Sequence, residues 1–255
     1  MEKEDFNIYS DFAYVYDSFM DNIPYQSWYV YLHGLLMDYN INNGIVADLA
    51  CGTGTITAML AADGYDMIGI DLSYEMLNIA RGKCPDNVLF LHQDIRELDL
   101  YGTASAMVCI CDGINYMLDE ESLYQVFDKV YTFLYDGGVF IFDMKTRHFY
   151  ENILGNQTIA DNRENSSLIW ENEFDKTTGI NEYFITIYNL YSKELGLFER
   201  FEEFHRQRAY PVEKIKELAA KAGLETVAVY NAFTKEEPLD NSERIYYIMR
   251  KRRMA

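Results

Sequence analysis

Between residues 41 and 145, short apolar runs alternate with stretches in which apolar positions recur three and four residues apart, the spacings of strands and of amphipathic helices. The run Ile45-Val46-Ala47 ends at Asp48. A helix over 55–63 stops at Gly64, where a left-handed cap favours glycine, and a strand over 66–71 leads to Ser73, which caps a helix reaching Arg81. Further strands are predicted over 88–92, 106–111 and 139–143, with a long helix from 120 to 134 stopping at Gly137-Gly138. Two helices precede this series, over 11–20 and 24–39, with Pro24 suited to a first helical position. Alternation of this kind predicts an α/β fold with a parallel sheet covered on both faces.

Beyond Lys145 the pattern changes to a period of two. Residues 167–175, 179–191 and 196–208 predict three long antiparallel strands joined by polar, glycine-ended turns. The first pattern then resumes with a helix over 211–222, capped by Gly223, and strands over 225–230 and 244–250. The organisation expected is one domain formed by 1–149 and 209–255, carrying an antiparallel β insertion at 150–208 that acts as a lid.

Ligands of open parallel sheets sit beyond the carboxyl ends of the strands. Asp48, Asp71, Asp94, Asp112 and Asp143 all fall at such ends. At the first, Asp48-Leu-Ala-Cys-Gly-Thr-Gly54 joins strand to helix through two glycines, which allow close backbone approach to a ligand. A dinucleotide site places a third Gly or Ala where this chain has Thr57, and a carboxylate ahead of the glycines would repel a pyrophosphate. The acid suits a ligand with a cationic amino group.

The string from Asp48 through Ala50, Cys51 and Gly52 to Gly54 resembles motif I of the class I S-adenosylmethionine-dependent methyltransferases, and the resemblance extends over about 41–145 and, more loosely, 205–250. It implies a Rossmann-like sheet, S-adenosylmethionine as cofactor and S-adenosylhomocysteine as product. Gly69-Ile-Asp71-Leu72-Ser73 matches the second motif, where the acid takes both ribose hydroxyls, and Met76 matches an apolar residue placed against adenine. Gln93-Asp94-Ile95 fits the adenine-amine element, although Asp94 also reads as a surface turn acid. Cys111 falls where the family brings the fourth strand beside the methionine moiety. The aromatic leader Phe12-Ala-Tyr-Val-Tyr16-Asp17 and Pro24-Tyr25-Gln-Ser-Trp28 is similar to that of a bacterial small-molecule subgroup that includes amino-sugar N-methyltransferases. There the helix pair covers the cofactor, which makes Tyr25 and Trp28 expected contacts; plain helix packing is the alternative.

Methyl transfer from a sulfonium requires alignment and exclusion of water more than covalent help. One base suffices for an amine or hydroxyl acceptor, and Asp112, His205 and Tyr16 are the candidates. The lid aromatics Trp170, Tyr183, Phe184, Tyr188, Phe198, Phe201 and Phe204 would line an acceptor pocket, a dimer interface or the lid's own core. Asp112-Gly-Ile-Asn lacks the paired prolines of many nucleobase amine methyltransferases. A formal charge of −19 also disfavours a polyanionic partner. The expected acceptor is therefore a small molecule methylated at N or O, with an RNA or protein methyltransferase, or a noncatalytic cofactor-binding regulator, as rivals. No metal-ligand spacing, secretory leader or membrane span is read, and four cysteines without CxxC spacing suit a reducing compartment. A cytoplasmic monomer or homodimer is expected.

Overall fold

The computed structural model describes residues 13–19 and 24–252, so the acidic start, the predicted helix positions 11, 12 and 20, and Arg253 lie outside the described residues. Helices α1 (Ala13–Phe19) and α2 (Tyr25–Asp38) come first. The alternating series follows as β1 (Ile45–Leu49), α3 (Thr55–Ala62), β2 (Asp66–Asp71), α4 (Tyr74–Lys83), β3 (Leu89–His92), β4 (Ala104–Cys109), α5 (Glu120–Phe133) and β5 (Leu134–Lys145). The antiparallel segment holds β6 (Thr158–Asn162), β7 (Ser166–Asp175), β8 (Ile180–Ser192) and β9 (Leu197–Arg208), and the chain closes with α6 (Val212–Lys221), β10 (Leu224–Asn231) and β11 (Arg244–Lys251).

The main sheet has seven strands in the order β10-β11-β5-β4-β1-β2-β3. β1 to β5 are parallel, while β11 runs antiparallel to β5 and β10 antiparallel to β11. Strand order reverses beside β1, so the crevice for a ligand opens between the ends of β1 and β4. Helices cover both faces, because each presents one apolar stripe. On α5 that stripe is Leu123, Val126, Phe127 and Val130, all fully buried, and burial of a side chain of this kind contributes about 1.5–3 kcal/mol. Leu32, Leu35, Leu36, Ile56 and Leu60 from α2 and α3 fill the opposite face. Among the described residues no helix is long and apolar enough to cross a membrane.

Three boundaries differ from the sequence reading. The fifth helix ends at Phe133, not at Gly137-Gly138, because Leu134 turns into the core in an extended conformation. The two glycines lie inside β5, where a Cβ on Gly138 would stand 2.7 Å from the carbonyl oxygen of Ser105, and the β4–β5 register shifts there. β4 stops at Cys109, and the chain leaves the sheet before Cys111 and Asp112, both in left-handed conformation. The antiparallel sheet has four strands, not three, in the order β6-β7-β8-β9. β6 is a short, mostly exposed edge whose Thr-Ile-Ala-Asp-Asn sequence carries no apolar alternation. Between β5 and β6 a π-helical turn, Phe149–Leu154, buries Tyr150 and Leu154. These join Leu168, Phe174, Tyr183, Ile185 and Ile187 of the second sheet, and Phe19 of α1, in a separate apolar core.

Candidate active site

The first loop is built by local backbone chemistry. Ala50, Gly52 and Gly54 all adopt positive φ, at 57°, 54° and 75°. A Cβ on Gly52 would meet nothing within 4 Å, so the backbone there faces open space, whereas one on Gly54 would stand 2.8 Å from the Ala80 Cβ. The backbone at Gly52 is therefore open to close approach, whereas Gly54 is required by the packing of α3 against α4. Ala50 pays no such glycine exemption, and strain of this kind concentrates at ligand sites. Thr57, which breaks the dinucleotide pattern, donates its hydroxyl to Asp48 at 2.5 Å. Burial pushes the Asp48 carboxyl up to about 7, against the lowering effect of Thr57, and neighbouring Asp71 adds to the rise.

Asp71, at the end of β2, accepts the backbone N–H of Gly52 at 2.8 Å and of Ser73 at 2.9 Å, one on each oxygen. Burial nevertheless raises its pKa. The backbone N–H groups of Ser73, Gly52 and Leu72 act in the opposite direction. Ser73 caps α4 by accepting from the Met76 N–H at 3.1 Å. At β3, Gln93 spends its side chain on the backbone of Asp99, at 3.1 Å in both directions. Asp94 accepts from Arg96 Nε and the Arg96 backbone, and these bonds outweigh partial burial to hold its carboxyl below the usual range.

These strand ends surround one cavity of about 270 Å³. It brings together Tyr16, Tyr25, Asp48, Ala50, Cys51, Gly52, Asp71, Leu72, Met76, Gln93, Asp94, Ile95 and Cys111. Thr53, Thr55, Ile56, Ser73, Arg96, Ile110, Gly113, Tyr116 and Met117 complete the lining, and none of them was named a site residue from the sequence. Tyr116, an aromatic closing the segment after the fourth strand, was the readable signal. α1 is fastened over the loop because Thr53 donates to Asp17 at 2.7 Å and Lys83 pairs with the same carboxylate.

Four expected site residues are placed outside the lining. Gly54 is the packing glycine just described. Trp28 is buried against Phe233, with ring centroids 6.1 Å apart, and beneath the Arg244 guanidinium at 4.7 Å; it is a packing residue because Arg244 occupies its open face. Asp112 pairs with Arg244 and, at 2.8 Å, with Lys145, while Arg244 also pairs with the fully buried Asp143. Burial acts to raise the Asp112 carboxyl, but the two cations outweigh it and hold it below the usual range, which makes it a poor proton acceptor. His205 is 2% exposed, behind Tyr116: Tyr116 Oη stands 3.2 Å from its Nδ1, and Glu203 lies 2.8 Å from its Nε2.

The aromatics of the second sheet divide by strand alternation. Tyr183 faces inward and donates to Gln207 at 2.7 Å, with Trp170 packed edge-on against it. Phe184 is exposed, stacks near Phe204 on the outer face, and Phe198 is exposed as well.

Comparison with known proteins accords with this arrangement. The methyltransferase-domain family matches residues 46–138. YqeM of Bacillus subtilis (strain 168), a protein named as a methyltransferase, is 34% identical over 245 residues, 94% of this chain and 96% of its own. The crystal structure of an S-adenosylmethionine-dependent methyltransferase from Clostridium acetobutylicum ATCC 824 is similar with a TM-score of 0.83 at 27% identity, covering 96% of this chain and 99% of that one. Over a shorter stretch, 37% of this chain and 36% of the relative, the chain is 33% identical to the dTDP-3-amino-3,6-dideoxy-alpha-D-glucopyranose N,N-dimethyltransferase of Streptomyces fradiae. The cavity fits the ligand these likenesses imply, since the Gly52 cradle is open and two buried carboxylates beside it have no Lys or Arg ion pair among the described residues. The chain belongs to the class I S-adenosylmethionine-dependent methyltransferases, and S-adenosylmethionine is its cofactor.

Proposed function

We propose that the enzyme methylates a small molecule at nitrogen or oxygen. The observation that carries this reading is the position of the antiparallel sheet. Asn115, fully buried after β4, donates to the carbonyls of Lys145 at 3.2 Å and Arg208 at 2.9 Å, which fastens the end of β9 beside the β4 end of the cofactor cavity. A sheet anchored there restricts access to the methyl group, and that favours a compact acceptor over a polymer surface. The net charge of −19 and the partial likeness to an amino-sugar dimethyltransferase support the same choice.

In this reading Asp71 accepts the ribose hydroxyls, Asp94 and Ile95 meet the adenine edge, and Met76 packs on its face. Asp48 supplies negative charge for the amino group, and the backbone of Cys51 and Gly52 meets the methionine end. Bound S-adenosylmethionine supplies an activated methyl group. The chain's contribution is to orient the acceptor in line with it and to exclude water, with residues 150–208 as the lid.

Incubation with S-adenosylmethionine carrying a labelled methyl group, first with dTDP-amino sugars and then with a small-molecule metabolite extract, tests the proposal. The expected result is a small molecule heavier by one methyl. Label recovered only in RNA or protein would replace it with a macromolecular acceptor.

A further inference from the structure

We propose that α1 is a strap that couples cofactor binding to the packing of the second sheet, so that filling the cavity tightens β7 and β8 although neither strand lines it. The inference rests on the cofactor occupying the cavity described above, and it adds how that occupancy reaches a part of the chain the cofactor does not touch.

α1 is seven residues long. An isolated helix shorter than about 12–15 residues is marginal in water, because nucleation is unfavourable and so few bonds follow it. Its order therefore comes from what it touches, and it touches two separate bodies. Residues two apart on a helix point about 200° apart, so Asp17 and Phe19 face opposite ways. Asp17 accepts from Thr53 Oγ1 at 2.7 Å, in the glycine loop, and pairs with Lys83 at the end of α4. Lys83 Nζ also donates to Thr55 Oγ1 at 3.3 Å, so this anchor gathers the loop, the start of α3 and the end of α4. Phe19 is buried in the second core with Tyr150, Leu154, Leu168 and Phe174, and the Arg163 guanidinium lies 4.9 Å from its ring centre.

Tyr16, between these two anchors, belongs to both bodies: it lines the cofactor cavity and packs against the second core. The route is distinct from the Asn115 bonds, which fasten the end of β9 at Arg208. α1 reaches the sheet through Leu168 and Phe174 of β7, two strands away from that edge.

A short helix that needs both anchors has two arrangements, ordered and frayed, and each anchor favours the ordered one. Such an element, biased from both ends, is the physical basis of coupling between distant sites. A ligand held beside Tyr16 and Thr53 binds the ordered arrangement better and shifts the population toward it, which seats Phe19 in the second core. The effect is reciprocal: loosening Phe19 must weaken cofactor binding by the same factor, although Phe19 lies outside the cavity lining. Asp17 and Phe19 are positioning residues in this assignment.

Hydrogen exchange of the full chain, read by mass spectrometry with and without S-adenosylhomocysteine, tests the strap. Peptides over 45–56 report occupancy of the cavity and those over 166–190 report β7 and β8, while α6, which contributes nothing to the lining, reports global stabilisation. The expected result is protection over 45–56, with exchange over 166–190 slowed at least about fivefold more than over α6, the lower end of ordinary coupling between sites. Protection over 45–56 with 166–190 matching α6 would overturn the strap and leave the cofactor in its cavity. Exchange over 45–56 that does not change would remove the cofactor from this cavity, and the strap with it. Phe19→Ala and Asp17→Ala cut the two ends, and the Asp17 side chain is 41% exposed, so its variant requires no core repacking. Each should abolish the extra slowing and weaken S-adenosylhomocysteine binding about fivefold, and the double variant should weaken it no further, since both remove one connection. Unchanged affinity in Phe19→Ala, or losses that multiply in the double variant, would overturn the proposal.

Discussion

Two groups of acids lie along the same edge of the main sheet, and they are neutralised in opposite ways. At the ends of β4 and β5, Asp112 and Asp143 share Arg244, delivered by β11, and Lys145 completes the cluster. At the ends of β1 and β2, Asp48 and Asp71 are held by a threonine hydroxyl and backbone N–H groups, and burial raises the pKa of both. A buried carboxylate without a cation is costly. It is retained where a ligand brings the missing positive charge. The first cluster is a finished structural unit, and in the proposed reading the second is completed when Asp48 meets the amino group of the cofactor.

The largest expected effect tests the finished cluster. Arg244→Met should destabilise the fold by about 3–5 kcal/mol, since it leaves two buried acids with Lys145 as their remaining partner. Urea denaturation of the free protein measures this; a loss within about 0.5 kcal/mol, the range of ordinary surface substitutions, would mean that the cluster is not a structural unit. Next in size, Asp71→Ala should weaken S-adenosylhomocysteine binding by about 1.5–3 kcal/mol for each charged hydrogen bond removed, with little change in denaturation midpoint. Calorimetry reads it, and an unchanged dissociation constant would put the ribose elsewhere.

The contrast between the two groups also marks what could be read from the chain. The glycine loop, the Ser73 cap and the strand-end acids were legible because each depends on neighbours within a few positions, where φ preferences and capping are set. Asp112 was read as a candidate base from its place at the end of the fourth strand, and its sequence neighbourhood contains no cation to argue otherwise. Its partner Arg244 lies 132 residues away and arrives through the antiparallel register of β11 on β5. Trp28 was misread for the same reason, since the guanidinium over its ring is also Arg244. His205 was identified by type, yet its connection to Tyr116, 89 residues distant, follows only from the packing of β9 against the turn after β4. Local chemistry accounts for the loop and cap geometry at the ends of β1 and β2; the arrangement at the ends of β4 and β5 depends on long-range closure.

A third prediction concerns pH. The folded, ligand-free Asp48 titrates near 7 instead of its ordinary 3.8, so the folded state binds more protons than the unfolded state between those values. Its contribution to stability is therefore fully present below about pH 4 and declines as pH rises toward 7. Binding of a cationic amino group favours the ionised carboxylate and releases a proton below pH 7. Affinity for S-adenosylhomocysteine should then rise about tenfold per pH unit below that point and level off above it, equivalent to about 1.4 kcal/mol per unit. Calorimetry in buffers of different ionisation enthalpy would detect the proton. Asp48→Asn should flatten the profile, and a wild-type profile already flat across this window would separate Asp48 from the amino group.

The smallest effect belongs to Asp94, which sits with the cofactor acids by position and with the finished cluster by chemistry. It lines the cavity at the end of β3, yet Arg96 binds both of its oxygens and holds its carboxyl below the usual range. The Arg96 side chain is 44% exposed and that of Asp94 19% exposed, so the pair is partly screened by water. The adenine amine is a neutral donor, and a bond to it contributes less than one to a cation. Asp94→Asn keeps an acceptor oxygen for that amine and removes mainly the ion pair. It should therefore weaken S-adenosylhomocysteine binding by less than about 1 kcal/mol, well short of the Asp71→Ala loss. If the two substitutions cost the same, Asp94 belongs with the acids that the cofactor completes, and the dividing line along the sheet edge is distance from the ligand and not the presence of a cation.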